Sequence, residues 1–381
     1  MSFLSRKIIF SFQNPAKCDI IIIDKTNSHY IAELILKDIP SSIFEVRPEK
    51  IYLSLRIFYY FFLSIKLFDS KSVITSKKKL RGVLKQLRYF YLLACLRVIK
   101  PKIVISLNDN SSDLHWLSRE FKSGTFFTIQ NGNRTNDQLN SGEKQYHKHF
   151  FCFGNYERSR YKRFSHIVEH FYPVGSLLAG AYKAKNFNCD INIEYDISII
   201  SQYSKRLYEE TYLKEKIKWN AMDKMHEFLV KYINEFNLKA ALLLRKANPD
   251  SDGEREYFDK FYKKKIIYIC NDKNLMSPYN SMDQSELIVD CFSTASIEAF
   301  GWGKKILHCD FTGNKNYNDY DPMIMFTEPS YESFKKRLNE LRREPYENYR
   351  KRTKEYASYL MNNSPACPPH IYIRREIQKY L

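Results

Sequence analysis

The sequence predicts an α/β protein of two Rossmann-like domains facing each other across a cleft. Three observations predict it. Short runs rich in Ile, Val, Leu and Phe alternate with helical patterns, the order that βαβ units leave in a sequence. Most of these runs are apolar throughout rather than alternating, as strands of a parallel sheet covered on both faces read. The rhythm lapses in "AGAYKAKNFNCDINIEY", residues 179–195, and then restarts. A chain of 381 residues has room for two domains of ordinary size, and the lapse divides it into residues 1–185 and 186–381.

In the first part the expected strands are "KIIFSF", "CDIIIID", "SIFEV", "KIVISL", "TFFTIQ", "HFFCFG" and "HFYPVGS", each bounded by polar or turn residues. Between them the pattern predicts a helix from Ser28 to Lys37, a long aromatic helix in "IYLSLRIFYYFFLSIKLF" (residues 51–68), a basic helix in "KKKLRGVLKQLRYFYLLACLRVI", and a short one in "SSDLHWLSREF". In the second part the strands are "YDISIISQY", "KAALLLRK", "KIIYICN", "ELIVDCF", "KKILHCD" and "MIMF". Helices are expected from about Glu215 to Phe236, in "EREYFDKFY", from Ser296, and in the two terminal runs before "SPACPPH" stops the second. No GxGxxG follows the first strand and no GxxxxGK[ST] loop occurs, so neither a dinucleotide oxidoreductase nor a P-loop NTPase is supported.

The formal charge of +18 would suit nucleic acid, an anionic membrane face or phosphorylated substrates. Part of that excess is compositional, because Lys, Ile, Asn, Tyr and Phe are abundant while Gly numbers only 11, the bias of an AT-rich genome. No helix-turn-helix, zinc finger or RNP signature accompanies the charge, so nucleic acid is not the expected partner; a basic nucleic-acid-binding protein remains the non-enzyme alternative. The eight Cys show no CxxC and no zinc spacing with His, and five of them (Cys95, Cys152, Cys270, Cys291 and Cys309) lie in apolar runs. They are expected to be reduced thiols of a cytoplasmic protein, and the N-terminus lacks the apolar core of a secretory signal. His147 and His149 fit no ligand spacing, so no metal is expected. Arg56 and Lys66 interrupt the aromatic run, which is short for a membrane span. It is expected to pack on a sheet, with a second reading in which its aromatic side also leans on a membrane surface.

In open α/β sheets ligands bind beyond the carboxyl ends of the strands, so the residues there are the candidates. In "DCFSTASIEAFGWGKKILHCD", residues 290–310, Ser293, Thr294 and Ser296 follow a strand and start a helix, an anion site of hydroxyls and backbone N–H groups. Glu298 falls about one turn in, where a carboxylate could accept a ribose diol. The competing reading has Ser293 or Thr294 as a helix cap and Glu298 closing a capping box. Gln130, Asn131 and Arg134 follow "FFTI" around Gly132 and point polar groups toward the cleft. Arg245, Lys246 and Asn248 follow "ALLL", where cations would neutralise phosphates, unless the turn is merely solvated.

The segments "IQNGNR", "HFFCFGNYE", "FYPVGS", "ISQY", "EREYF" and "STASIEAFGWGKKILHCDFTG" together resemble a family of bacterial GT-B glycosyltransferases of surface-carbohydrate biosynthesis. The resemblance implies the GT-B fold, an acceptor domain followed by a donor-nucleotide domain with terminal helices, and no metal or other cofactor. It implies that Ser293, Thr294 and Glu298 contact a nucleotide-sugar donor, and that the acceptor is a glycan or lipid-linked glycan of O-antigen or capsule. Such an enzyme would be cytoplasmic; its basic helix would face anionic lipid or a lipid-linked acceptor in a peripheral contact with the inner membrane, against the alternative of a merely solvated helix face. Related families that use CMP-activated acids or polyol phosphates carry His-Pro where this chain has Asn248-Pro249, which leaves a CMP-activated ulosonic acid in doubt as the donor. An inverting transfer needs a general base; Asp109 is the first candidate and the pair Asp24 and His29 the second, against helix capping at either place. Nucleotide-sugar 2-epimerases and polyol-phosphate transferases of the same fold are the enzyme alternatives, and a retaining course stays open.

Overall fold

The computed structural model describes residues 9–23, 28–44, 50–67, 79–186, 192–205, 213–248, 250, 253–263, 265–272, 276–314, 319–364 and 367–381, with backbone only at 79–81 and 213–215. In chain order the strands are β1 (Ile9–Ser11), β2 (Ile20–Ile22), β3 (Ser42–Ile43), β4 (Lys50–Tyr52), β5 (Ile103–Ser106), β6 (Thr125–Ile129), β7 (Tyr146–Cys152), β8 (Ile167–Pro173), β9 (Tyr195–Ile200), β10 (Ala240–Leu243), β11 (Ile267–Ile269), β12 (Ser285–Asp290), β13 (Lys305–Cys309) and β14 (Met325–Phe326). The helices are α1 (Ser28–Tyr30, continued by a π turn Ile31–Leu36), α2 (Leu55–Ser64), α3 (Lys79–Ile99), α4 (Ser112–Glu120), α5 (Asn136–Leu139), α6 (Asn155–Arg163), α7 (Leu177–Lys185), α8 (Leu213–Glu235), α9 (Glu254–Tyr262), α10 (Ser277–Asp283), α11 (Thr294–Gly301), α12 (Tyr331–Arg343), α13 (Tyr346–Leu360) and α14 (Pro369–Gln378).

Two six-stranded parallel sheets result, ordered β3-β2-β5-β6-β7-β8 and β11-β10-β9-β12-β13-β14, with β1 and β4 pairing apart. In each sheet the strand order reverses once, at β2/β5 in the first and β9/β12 in the second, and such switch points open a crevice for ligands. The apolar runs become the central strands because both faces are covered: Ile103, Val104 and Ile105 of β5 and Leu287, Ile288 and Val289 of β12 are buried without exception. This is the GT-B architecture, two Rossmann-like units whose strand ends meet at a cleft.

Four local expectations are corrected. "KIY" is a strand, so the aromatic helix begins only at Leu55, capped by the Ser54 side chain, which accepts the Ile57 N–H. The lapse at residues 179–195 is partly helical: α7 runs to Lys185, and its small residues are there because Gly180 sits against the Pro369 ring, where a Cβ would lie 2.3 Å from Cδ. Residues 187–191 of that stretch lie outside the described residues. Third, the Pro-rich segment stops the second terminal helix at Leu360, as expected, but it is not the end of the helical region. It is followed by α14, whose Ile373 and Ile377 are buried with Ile20, Ile22 and Ile103 of the first sheet, so the last helix returns to the opposite half. Fourth, Cys270, which its apolar run placed among the core thiols, is exposed just past β11.

Among the described residues no helix is long and apolar enough to cross a membrane.

Candidate active site

The chain ends of β5, β6, β8 and β12 converge on a cavity of about 390 Å³ lined by residues of both halves. Gln130, Asn131, Gly132 and Arg134 come from the β6 end, Ser176 and Leu177 from the β8 end, and Thr294 and Glu298 from α11. The strand-end rule therefore brings five of the expected residues to one place.

The turn into α11 is built with some strain. Phe292 has φ +74°, a left-handed conformation costly for a bulky side chain. It is held there by Asp290, whose Oδ2 accepts the Ser293 N–H at 2.6 Å. Asp290 is fixed in turn by His308, its register partner on β13, whose Nδ1 lies 3.2 Å from both carboxylate oxygens. Burial disfavours charge on this ring, while Asp290, with help from Asp310, outweighs burial and raises the imidazole above its ordinary value.

Ser293 is the helix cap: its Oγ accepts the Ala295 N–H at 3.2 Å. Ser296 is fully buried and donates to the Ser293 carbonyl, so both hydroxyls serve the turn. Thr294 instead reaches across the cleft, its Oγ1 accepting the Asn133 N–H at 2.8 Å. Gly132 makes that approach feasible, since a Cβ there would stand 3.3 Å from Thr294 Oγ1. Glu298 lies beyond the N3 position and closes no capping box. Its Oε1 accepts the Ser176 hydroxyl at 2.5 Å and its Oε2 the Tyr279 hydroxyl at 3.0 Å. Burial pushes this carboxyl up to about 7, against the two hydrogen bonds that favour the anion. Ser176 caps α7 and follows Gly175, whose φ of +92° and approach to the Asn362 carbonyl admit no side chain.

Across the cavity Arg134 is held by Asp109, with Nε at 3.0 Å from Oδ2 and a second nitrogen at 2.5 Å from Oδ1. Asp109 also accepts the Asn131 N–H, and Asn131 Oδ1 accepts from Arg134 at 2.6 Å. Asp109 is fully buried. It is thus not placed as a free proton acceptor: both oxygens accept from Arg134, an arrangement that suits a positioning carboxylate better than the expected base. Gln130 is likewise structural, bridging the Gly132 carbonyl and the Phe153 N–H. Of the second pair, Asp24 lies outside the described residues, and His29 is exposed on α1 with its ring against Tyr30.

Arg245, Lys246 and Asn248 are exposed at the end of β10 and do not line the cavity. Arg245 donates to the Tyr203 carbonyl, and its N–H is held by the buried Glu254, which also accepts from Ser201. That turn is anchored from below, with its side chains on the surface.

Sequence reasoning missed Ser176, Tyr279, His308 and Arg160. Ser176 is the last residue of the expected strand "HFYPVGS", whereas β8 ends at Pro173 and leaves it just past the strand end. Arg160 is buried in α6 beside Glu157 at 3.5 Å and donates to the Arg134 carbonyl, fixing the loop from behind. Among the described residues no group of three or more His, Cys, Asp or Glu is placed to hold a metal ion.

Comparison with solved structures finds the same fold. A UDP-N-acetylglucosamine 2-epimerase is similar at 13% identity and a TM-score of 0.51, over 96% of each chain. UDP-GlcNAc 2-epimerase from Neisseria meningitidis, bound to UDP-GlcNAc, is similar at 12% identity over 95% of this chain and 98% of its own, with a TM-score of 0.49. The wall teichoic acid polymerase TagF is similar at 12% identity over 98% of this chain and 88% of its own, with a TM-score of 0.48. Among curated proteins no sequence matches. A family model described as "putative O-antigen biosynthesis protein" matches residues 127–337, which carry most of the cavity: the end of β6 and its loop, Ser176, Thr294 and Glu298. With more than half of its length under that match, the chain belongs to this O-antigen biosynthesis family.

Proposed function

We propose that the chain is a glycosyltransferase that moves a sugar from a nucleotide-sugar donor to a growing surface glycan, with the nucleotide held against α11 and the acceptor on the first-sheet side of the cleft. The observation that carries this reading is Glu298. Its two oxygens each accept a hydroxyl, from Ser176 and from Tyr279, which is the hydrogen-bond demand that a ribose diol meets. A nucleoside bound there exchanges its two hydroxyls for those of the protein. Arg134 is the cation in the cavity wall. Held rigid by Asp109, it is assigned to the donor's phosphates, where a fixed positive charge stabilises the leaving nucleotide as its bond to the sugar breaks. Thr294, across from Asn133, completes the nucleotide side. The donor domain is residues 186–381 in this reading, with α14 excepted, and the enzyme works in the cytoplasm on a glycan or lipid-linked acceptor without metal.

Thermal shift with UDP, GDP, CMP and CDP tests this. One nucleotide is expected to stabilise the chain by roughly 3 kcal/mol at about 100 times its Kd, with the others well below it. No selective stabilisation, or equal stabilisation by random DNA, overturns the reading. Incubation with the corresponding nucleotide sugar separates transfer from epimerisation, because an epimerase interconverts the sugar with no acceptor present whereas a transferase returns at most slow hydrolysis.

A further inference from the structure

The helix α2 is apolar on its inner side and, apart from Arg56, on its outer side as well. Its inner side belongs to the core of the first half, where Ile57 is buried and Tyr60 and Phe61 pack against the cluster that holds Leu92, Leu93 and Leu96 of α3. Ser64 closes that side, accepting from Arg97 at 3.0 Å. The outer side carries Leu55, Phe58, Tyr59 and Phe62, spaced i, i+3, i+4 and i+7, which are 88%, 42%, 62% and 62% exposed. A helix at a water surface normally turns charged residues outward, and here a stripe of large apolar groups faces out instead.

The stripe does not stand alone. Leu63, Ile65 and Leu67 continue it, and Phe10 and Phe12 are exposed on and just after β1, which pairs with β4 directly ahead of α2. Leu67 and Leu84 join it to a polar cavity of about 740 Å³, whose wall carries Lys85, Arg88, Arg119 and Lys144 together with Glu120 and Glu143. Monomeric soluble proteins rarely expose continuous apolar patches of this kind without a partner.

Charge selects the partner. Neither β4, α2, its 3-10 extension nor α3 contains an Asp or Glu, while Lys50, Arg56 and Lys66 are exposed among the apolar groups. In a two-fold contact a second copy would set the same cations against one another. An anionic bilayer instead receives aromatic and aliphatic side chains at the headgroup boundary and pairs the cations with lipid phosphates. We propose that the outer face of α2, with Phe10 and Phe12, docks this chain on an anionic membrane surface.

The proposal does not rest on the transferase reading, and its test uses no nucleotide. The full chain is floated with vesicles of phosphatidylcholine alone or with about one third phosphatidylglycerol, and binding is expected to be about 10-fold stronger on the anionic vesicles and to weaken with salt. Phe58→Ser/Phe62→Ser is expected to lower that binding about 10-fold or more, as is Leu55→Ser/Tyr59→Ser, with unchanged circular dichroism and melting temperature because the four side chains point outward. Wild type that fails to float, or double variants that bind as well as wild type, overturn the proposal. So does a dimer in light scattering that the double variants turn into monomer while vesicles capture neither.

Discussion

Glu298→Gln is expected to make the protein more stable at pH 8 and to weaken nucleotide binding in the same molecule. The carboxyl is buried and raised from 4.5 to about 7, with burial as the main cause. Between those two values the folded chain keeps a proton that the unfolded chain has released, so stability falls as pH rises through that window. Above pH 7 the full cost is present, roughly 3 kcal/mol at about 1.4 kcal/mol per unit. Gln carries no such titration. It keeps one acceptor oxygen, and the Ser176 or Tyr279 hydroxyl can turn to accept from its amide. The melting temperatures of variant and wild type should therefore coincide below about pH 4.5, separate across the window and stay apart above pH 7. Nucleotide affinity should fall about 10-fold to 100-fold, since charge-assisted hydrogen bonds contribute about 1.5–3 kcal/mol each. A variant less stable than wild type at pH 8 would make the anion a net stabiliser, and undiminished affinity would remove Glu298 from the nucleotide site. The combination of gained stability and lost binding is what a strained functional group predicts.

The strand and helix rhythm was legible because parallel strands buried on both faces leave continuous apolar runs, as in "KIVISL" and "ELIVDCF". What escaped lacks that signal. Helix α6, "NYERSRYKR", buries Glu157 and Arg160 as a pair, so its inner side reads as polar. Helix α7 presents small residues to Pro369, and α14 follows prolines that ordinarily close a helical region. In the cavity wall, Gln130, Asn131 and Arg134 were legible because they lie just past β6, and Thr294 and Glu298 because they lie at the start and in the second turn of the helix that follows β12. The roles within it were not legible, since they depend on pairings between distant segments. Asp109 meets Arg134 only when β5 and β6 lie side by side, and Asp290 meets His308 only through the register of β12 on β13. A carboxylate after a strand looks the same in sequence whether it faces substrate or a buried arginine.

That ambiguity at Asp109 is open to a decisive measurement. Asp109→Asn is expected to destabilise the protein by about 3–5 kcal/mol, because it leaves the guanidinium of Arg134, only 11% exposed, without its counter-charge. Arg134→Gln should also destabilise, and it should weaken nucleotide binding directly by removing the cation from the cavity wall. The double variant Asp109→Asn/Arg134→Gln removes both charges and leaves two amides able to bond each other. Its stability should exceed the sum of the single losses by about 1–3 kcal/mol, the coupling that touching groups show in double-mutant cycles. A general base behaves otherwise. Its amide variant would lose turnover and the acidic limb of the pH profile, with stability and nucleotide affinity intact, and it would show no coupling to Arg134. Asp109 at full burial, with both oxygens on one guanidinium, is placed to keep that guanidinium in a single orientation; in the proposed function the donor's phosphates meet the arginine, and the aspartate sets where the arginine points. The cycle should accordingly put its coupling energy in stability and in nucleotide affinity together, since one geometry sustains both.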